Sequence, residues 1–597
     1  MKKRTPPTRS GRLADALLGV RRELPRLGSA GSRSALLHQE GSDDSAVLVG
    51  ATTAERRRTI AHLRTQFALR WIGTTGTFLI ALGALGAGAL PVAGNPYDNV
   101  PFGSLMSRML QSSSALVMLG VGLLVVAWVF MAPFVGAPLR SSHRSAVNSA
   151  YRTNVVTETQ MWRTWAGWVL PLLVTSPMFT QDIYSYLANG SIVVHGMDPY
   201  SAGPVQLLGT ENQLARSVPF IWANSPSPYG PVALGLAAIV SWVTQDSIML
   251  GVIAHRLLSL AGIIAAGWAI TRLAQRCRVS PEAALWLGIL NPLTTLHLVG
   301  GIHNESIMLG LALVGMELGL RGVDKLRSAT TPFGAEAKAA PSGTEARSAH
   351  RREWLAFLVA SGFLISCAGM VKVTGFIGLG FVGMALARVL HEDRGLSTAR
   401  AILRAAVVQA LLLVLSIGLV TLVSGIGLGW ISGQGGAATI RSWLSSSTAV
   451  GVGAGFLGMM LGLGDHTDAI LNFTRGVGVT IAIAFMARML LATYRGSIHP
   501  VGGLGISTLV LVIFFPVVHP WYILWAVLPL AAWANRLIFR LAVVVYSAAM
   551  SFFVLPRGLG LPPSTILVIY VAAALSFAVV AGVWWVALRR AGVHVLN

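Results

Sequence analysis

From residue 70 to residue 588 the chain is a succession of apolar runs, most of them close to twenty residues long, separated by stretches where Arg, Gly and Pro collect. A helix needs roughly 20 residues to cross about 30 Å of hydrocarbon, so this spacing predicts an all-α polytopic membrane protein. Charged residues make up 11% of the chain, under half of the roughly 25% usual in soluble domains. The net charge of +22 does not require nucleic acid. The basic residues sit mainly in the N-terminal tail and in short loops between apolar runs, the pattern of cytoplasmic segments. Two cysteines, Cys277 and Cys367, support neither a disulfide framework nor a cysteine metal site.

Taken in order, residues 1–68 form a basic tail, expected to be cytoplasmic, partly disordered and in reach of anionic lipid. Spans are expected at 70–90, 113–135, 163–179 and 247–271, then at 281–300, 303–321, 353–371, 373–390 and 404–424, and finally at 474–492, 501–517, 520–535, 539–555 and 563–588. The run 231–245 is too short to cross. If it did, Arg272, Arg276 and Arg278 would fall outside, so it is expected to be a re-entrant or interfacial helix. Fourteen crossings then put both termini inside, with a transmembrane domain over 69–592. Residues 323–352 are a flexible cytoplasmic loop, and a Gly- and Ser-rich external segment runs to 472.

Between the third run and the short one lies a polar, aromatic, proline-punctuated segment, Thr180 to Pro231. Loops of such length in compact proteins are functional or disordered. Tyr184, Tyr186, Tyr200, Phe220, Trp222 and Tyr229 give this one too much to bury for disorder. It is expected to be an ordered external loop over 180–230 that carries a reaction centre. The same topology places Asp182, His195, Asp198, His303, Glu305, Lys372, Arg441 and His519 outside, several of them at span ends. Ionisable groups at membrane depth are functional candidates by default.

Four strings occur in order on that predicted face: QDIYSYLANGSIVVHGMDPY, SPSPYGP, GGIHNE and HPWYILW. With them the chain resembles the polyprenol-phosphomannose-dependent α-1,6-mannosyltransferases of the MptA/MptB type, over roughly residues 70 to 590. The resemblance implies a C-type membrane glycosyltransferase fold, a lipid-linked mannose donor, a mannan or lipomannan acceptor, an active site on the external face of the plasma membrane, and a catalytic carboxylate in the long loop. Two apolar spans, 70–90 and 113–135, precede the run that leads into that loop, an extension relative to simpler members of the fold.

Such a transfer needs a base for the acceptor hydroxyl and cationic groups for the departing phosphate. Asp182 is the candidate base, though it also suits the capping of a helix over Tyr184 to Ala188. Tyr184, Tyr186, Tyr200, Tyr229, Trp521 and Tyr522 are candidate sugar contacts, as are Asp198, His303, Asn304, Glu305 and His519. Asp198 reads equally as a turn residue before Pro199. His303, Asn304 and Glu305 also suit the capped first turn of a span. Arg256, Lys372 and Arg441 are candidate phosphate partners, or else snorkelling side chains. No cofactor is expected. Asp182 has no acidic neighbour of the Asp-x-Asp kind, and Asp465-His466-Thr467-Asp468 reads as a solvated loop, so no divalent cation is required. A transporter or flippase of a lipid-linked saccharide would share the spans and the basic loops, but it predicts an internal two-fold repeat that the sequence does not display.

Overall fold

The computed structural model describes residues 53–137, 139, 156–328, 344–433, 441, 442, 444–558 and 560–590. Regular structure among them is helical, without strands. Most of the basic tail, residues 1–52, and the centre of the expected flexible loop, residues 329–343, lie outside the described residues.

The longer helices are α1 (Thr53–Ala87), α2 (Leu110–Met131), α3 (Glu158–Val169), α4 (Asp182–Val194), α5 (Pro231–Thr244), α6 (Ile248–Arg276), α7 (Pro281–Gly288), α8 (Glu305–Ser328), α9 (Thr344–Gly369), α10 (Ile377–Glu392), α11 (Thr398–Ser424), α12 (Ser446–Met460), α13 (Thr467–Tyr494), α14 (Pro500–Phe514), α15 (Leu524–Ala531), α16 (Leu537–Phe553) and α17 (Pro563–Arg590). Among the described residues, eight helical segments are long and apolar enough to cross a membrane. They run His62–Ala87, Leu110–Val135, Ile248–Arg276, Glu305–Ser328, Val373–Glu392, Thr398–Ser424, Thr467–Tyr494 and Pro563–Arg590. The protein is an all-α polytopic membrane protein. Eight such segments stand against the fourteen crossings expected, and six further apolar helices have only 10–17 residues.

Two of the expected spans are interrupted, each for a physical reason. The expected span 163–179 is broken at Pro171, where α3 gives way to a 3-10 turn, Leu170–Leu172, and then to irregular chain. Proline has no N–H to give and clashes with the preceding turn. The expected span 281–300 is likewise divided: α7 stops at Gly288, Asn291 and Pro292 follow, and the chain resumes as a π-helix over Thr294–Gly300. Elsewhere helices outrun the expected limits. α1 begins inside the presumed tail, α8 continues to Ser328, α9 starts at Thr344 within the presumed flexible loop, and α12 occupies the Gly- and Ser-rich segment.

The long central segment is helical too. α4 is followed by three short helices, Pro204–Leu208, Gln213–Ser217 and Phe220–Ala223, and then by α5, a 14-residue helix packed along α4. Ile183, Tyr184, Tyr186, Leu187 and Ala188 of α4 form a small core with Leu214, Val218, Val240, Val252 and Ile302. Ser191 and Ser241 both donate to Asp246, which fastens the far end of α4 to the end of α5.

Two contacts set the frame around this unit. α6 and α8 meet through glycines: a Cβ at Gly310 would stand 2.4 Å from the Gly262 carbonyl oxygen, and one at Gly262 would stand 2.4 Å from that of Ser306. Small residues allow this approach of backbones, and it seats the first turns of α8 directly on α6 at Gly262. Further out, α2 and α7 are joined by Trp128 and Trp286. Each indole N–H donates to the other's carbonyl at 2.8 Å, and the two rings stack 5.3 Å apart.

Candidate active site

Asp182 and Glu305 each open a helix, α4 and α8. Helix starts carry unsatisfied N–H groups and a partial positive charge, so both positions favour a carboxylate. The two acids meet around His303. Its Nδ1 lies 3.8 Å from Asp182 Oδ2 and 4.0 Å from Glu305 Oε2, both beyond hydrogen-bond length. Trp222 Nε1 donates to Asp182 Oδ1 at 3.1 Å. The Asp182 side chain is 24% exposed and that of Glu305 only 5%.

Lys372 completes the row. Its ammonium donates to Glu305 Oε1 at 2.7 Å and to the Tyr522 hydroxyl at 2.9 Å, and it stands over the rings of Tyr522 and Trp525 at 4.1 and 4.9 Å. An ammonium has three N–H groups, and these bonds use two. Its cation–π contacts hold the side chain in place.

An aromatic wall faces the row. Trp521 stacks with His303 at 4.0 Å, His519 at 4.7 Å and His297 at 4.8 Å. Burial pushes the His303 imidazole down despite Glu305 and Asp182, and pushes that of His519 down to about 4, so both are neutral at pH 7. His303 Nε2, His297 Nδ1, Trp521 Nε1 and Trp525 Nε1 are buried without a hydrogen-bond partner among the described residues. Polar atoms in that state cost free energy unless something bonds to them, and sugar hydroxyls are suitable partners. The Tyr229 hydroxyl donates to that of Tyr186 at 3.3 Å, with the rings edge-on, and Tyr229 lies within electrostatic reach of Asp182, Lys372 and Glu305.

The structure thus gathers Asp182, Tyr186, Tyr229, His303, Glu305, Lys372, His519, Trp521 and Tyr522 from distant parts of the chain. Asn304 lies buried between His303 and Glu305, its carbonyl accepting from the Met308 N–H. Other candidates are placed elsewhere. Tyr184 is buried, with its hydroxyl on the Ala89 carbonyl. Asp198 accepts from the Tyr200 N–H in an exposed turn, and Tyr200 meets the site only by donating to the main chain of Tyr229. Arg441 pairs with Asp468 at the surface. Arg256 is fully buried against main-chain carbonyls. Three residues of the site were not among the candidates. Trp222 lies within the aromatic loop, His297 is a lone imidazole inside an apolar run, and Trp525 closes the HPWYILW string without being singled out in it.

At the opposite end of the bundle the ionisable residues form ordinary ion pairs. Arg276 bridges Glu317 and Asp324, and Arg327 meets Glu392 and Asp393. α8 therefore runs from the site to a second charged layer, and its 24 residues cover about 36 Å at 1.5 Å per residue.

Comparison with known proteins bears on the chemistry. The family described as alpha-(1->6)-mannopyranosyltransferase, N-terminal domain, matches residues 70–388, and the MptB C-terminal domain matches residues 447–582. The chain is 57% identical to alpha-(1->6)-mannopyranosyltransferase B of Corynebacterium glutamicum over 95% of this chain and 92% of that protein. It is 40% identical to an alpha-(1->6)-mannopyranosyltransferase of Mycobacterium tuberculosis over 86% of this chain and 85% of the relative. No solved structure matches it. The sequence match extends through both halves of the helical bundle, and the chain belongs to the alpha-(1->6)-mannopyranosyltransferase family.

Proposed function

We propose that this protein transfers mannose from a polyprenyl-phosphate-mannose donor to a lipid-anchored mannan acceptor. The product is an α-1,6 linkage formed at the external face of the plasma membrane. The family membership supports mannosyl transfer. The observation that carries the mechanism is the row Asp182, His303, Glu305, Lys372, which sets a partly exposed carboxylate and a fixed ammonium on either side of a buried pair.

In this reading the acceptor hydroxyl oxygen attacks the anomeric carbon as the bond from that carbon to the phosphate oxygen breaks. The bonding electrons leave with the polyprenyl phosphate, and the hydroxyl proton passes to Asp182. A hydroxyl is too weak an acid to attack well without a base in reach. Asp182 suits that role better than Glu305, because Glu305 is nearly inaccessible and bound to Lys372. The third N–H of Lys372 is directed to the leaving phosphate, where a charge-assisted bond offsets the developing charge. Trp521, Tyr522, Tyr186 and Tyr229 present ring faces and hydroxyls to the sugars. A β-linked donor and an α product require one inversion and no covalent enzyme intermediate. No divalent cation enters, since the positive charge at the phosphate comes from a side chain.

Transfer of radiolabelled mannose from the lipid donor, measured with purified protein, tests this reading. Asp182→Asn keeps the shape of the side chain and removes its basic oxygen, so turnover should fall by a factor on the order of 10² to 10⁴. Near-wild-type transfer by a folded Asp182→Asn preparation would move the base elsewhere.

A further inference from the structure

Two helices that break at proline face each other across α6. After Pro171 the carbonyls of Leu173, Thr175 and Ser176 are turned to Arg256, which donates through Nη1 to Leu173 at 2.9 Å and Thr175 at 2.8 Å, and through Nη2 to Ser176 at 3.4 Å. From the other side, beyond Pro292, the Val299 carbonyl accepts from Arg256 Nε at 3.4 Å. One helical turn along α6, the Ser259 hydroxyl donates to the Leu298 carbonyl. Four of the five guanidinium N–H groups are thereby engaged and the residue is 0% exposed, so Arg256 offers no face to a phosphate.

The bonded segments lead directly to the two acids. Each passes through one residue in the left-handed region: Phe179, with φ 69°, three residues before Asp182, and Ile302, with φ 56°, three residues before Glu305. A bulky or β-branched residue there is strained and persists only where its surroundings hold it. The segments are also joined to each other by the Met178 N–H, which donates to the Gly300 carbonyl at 3.1 Å.

We propose that Arg256, seconded by Ser259, is a positioning clamp that fixes the separation of Asp182 and Glu305 by holding the two broken-helix segments that carry them. This rests on the reading of Asp182 as the base. The clamp touches no substrate. It acts by keeping the base and the Lys372–Glu305 pair aligned on one anomeric carbon, where an error near 1 Å costs roughly 10²-fold in rate.

The test is Arg256→Lys, which keeps the charge but lacks the fork that reaches both segments. In protein shown to be folded and monodisperse, kcat should fall roughly 10²-fold while KM for the lipid donor stays within about twofold. In an Asp182→Asn background the same substitution should cost clearly less, because the base, one of the two groups being aligned, is gone. A mere loss of folded protein would multiply through both backgrounds. Wild-type kcat, a raised donor KM at unchanged kcat, or equal losses in both backgrounds would each overturn the clamp. If Arg256→Lys yields no folded protein, Ser259→Ala decides. A kcat lowered threefold or more at unchanged donor KM, and lowered clearly less in the Asp182→Asn background, supports the clamp, and wild-type kcat overturns it. Full activity of Asp182→Asn itself would sink the base assignment, and that result is distinct from any outcome at Arg256.

Discussion

The indole N–H of Trp222 reaches across 40 residues of sequence to hold one carboxylate oxygen of Asp182 at 3.1 Å, leaving the other turned toward His303. Two short helices separate Trp222 from α4, and the bond makes their placement a condition for the orientation of the acid. Trp222→Phe keeps the aromatic bulk and removes the donor. It should fold normally and lower kcat about tenfold, the scale of effect expected when a base is held less firmly. Unchanged turnover in purified Trp222→Phe would show that the indole is not needed to aim Asp182.

Lys372 and Glu305 form a largely buried pair, with side chains 21% and 5% exposed, and removing one partner of such a pair costs up to about 3–5 kcal/mol because the other charge is stranded. Lys372→Met should therefore both destabilise the protein and weaken donor binding. The double variant Lys372→Met with Glu305→Gln should recover most of the stability and none of the donor affinity. Thermal unfolding and donor titration on the three proteins separate the two effects. Wild-type donor affinity in the double variant would take Lys372 away from the phosphate.

Acid should weaken the folded state through the stacked histidines. The imidazole of His519 lies at about 4 in the folded protein against an ordinary 6.5, held down by burial and by Lys372 and His303 although Asp182 and Glu305 oppose this. Between those values the unfolded chain binds the proton and the folded chain does not, so stability falls as pH drops from 6.5 towards 4. His303 contributes with the same sign. The unfolding temperature measured across this window should decline, and His519→Gln should flatten the decline in part. An identical slope in wild type and variant would refute the assignment.

The two charged layers should lie on opposite sides of the membrane, with the layer of Arg276, Arg327 and Asp393 inside. After replacement of Cys277 and Cys367 by serine, a membrane-impermeant thiol reagent applied to intact cells should label Thr210→Cys, on the site side. It should label Ser397→Cys only after the cells are opened. Both positions are exposed. Labelling of Ser397→Cys in intact cells would invert the topology.

The helical membrane class, the order of the segment after residue 180 and the gathering of Asp182, His303, Glu305, Lys372 and the His519 to Tyr522 string in one place were legible in the sequence. Apolar length and charge asymmetry report on the membrane directly. The helix breaks at Pro171 and Pro292 were not foreseen, because hydropathy records how apolar a run is and not whether its backbone can continue as a helix. Arg256 was misread for a related reason. A charge inside an apolar run signals a function, but only the structure shows whether its partner is a substrate or the bare carbonyls of a neighbouring broken helix. His297 carried the same signal unheeded.

The reciprocal bonds of Trp128 and Trp286 join the first helices of the chain to the broken helix that leads to His303. Since each indole satisfies the main chain of the other, neither residue can change alone without exposing an unmet carbonyl on its partner. A single substitution at either position therefore carries the cost of that stranded carbonyl, about 1–3 kcal/mol, on top of the lost stacking. In the same way, a shortened protein beginning at residue 156 would lack Trp128 and leave Trp286 without a donor or an acceptor. The two early helices are thus structural members of the enzyme and not an appendage that engineering could trim.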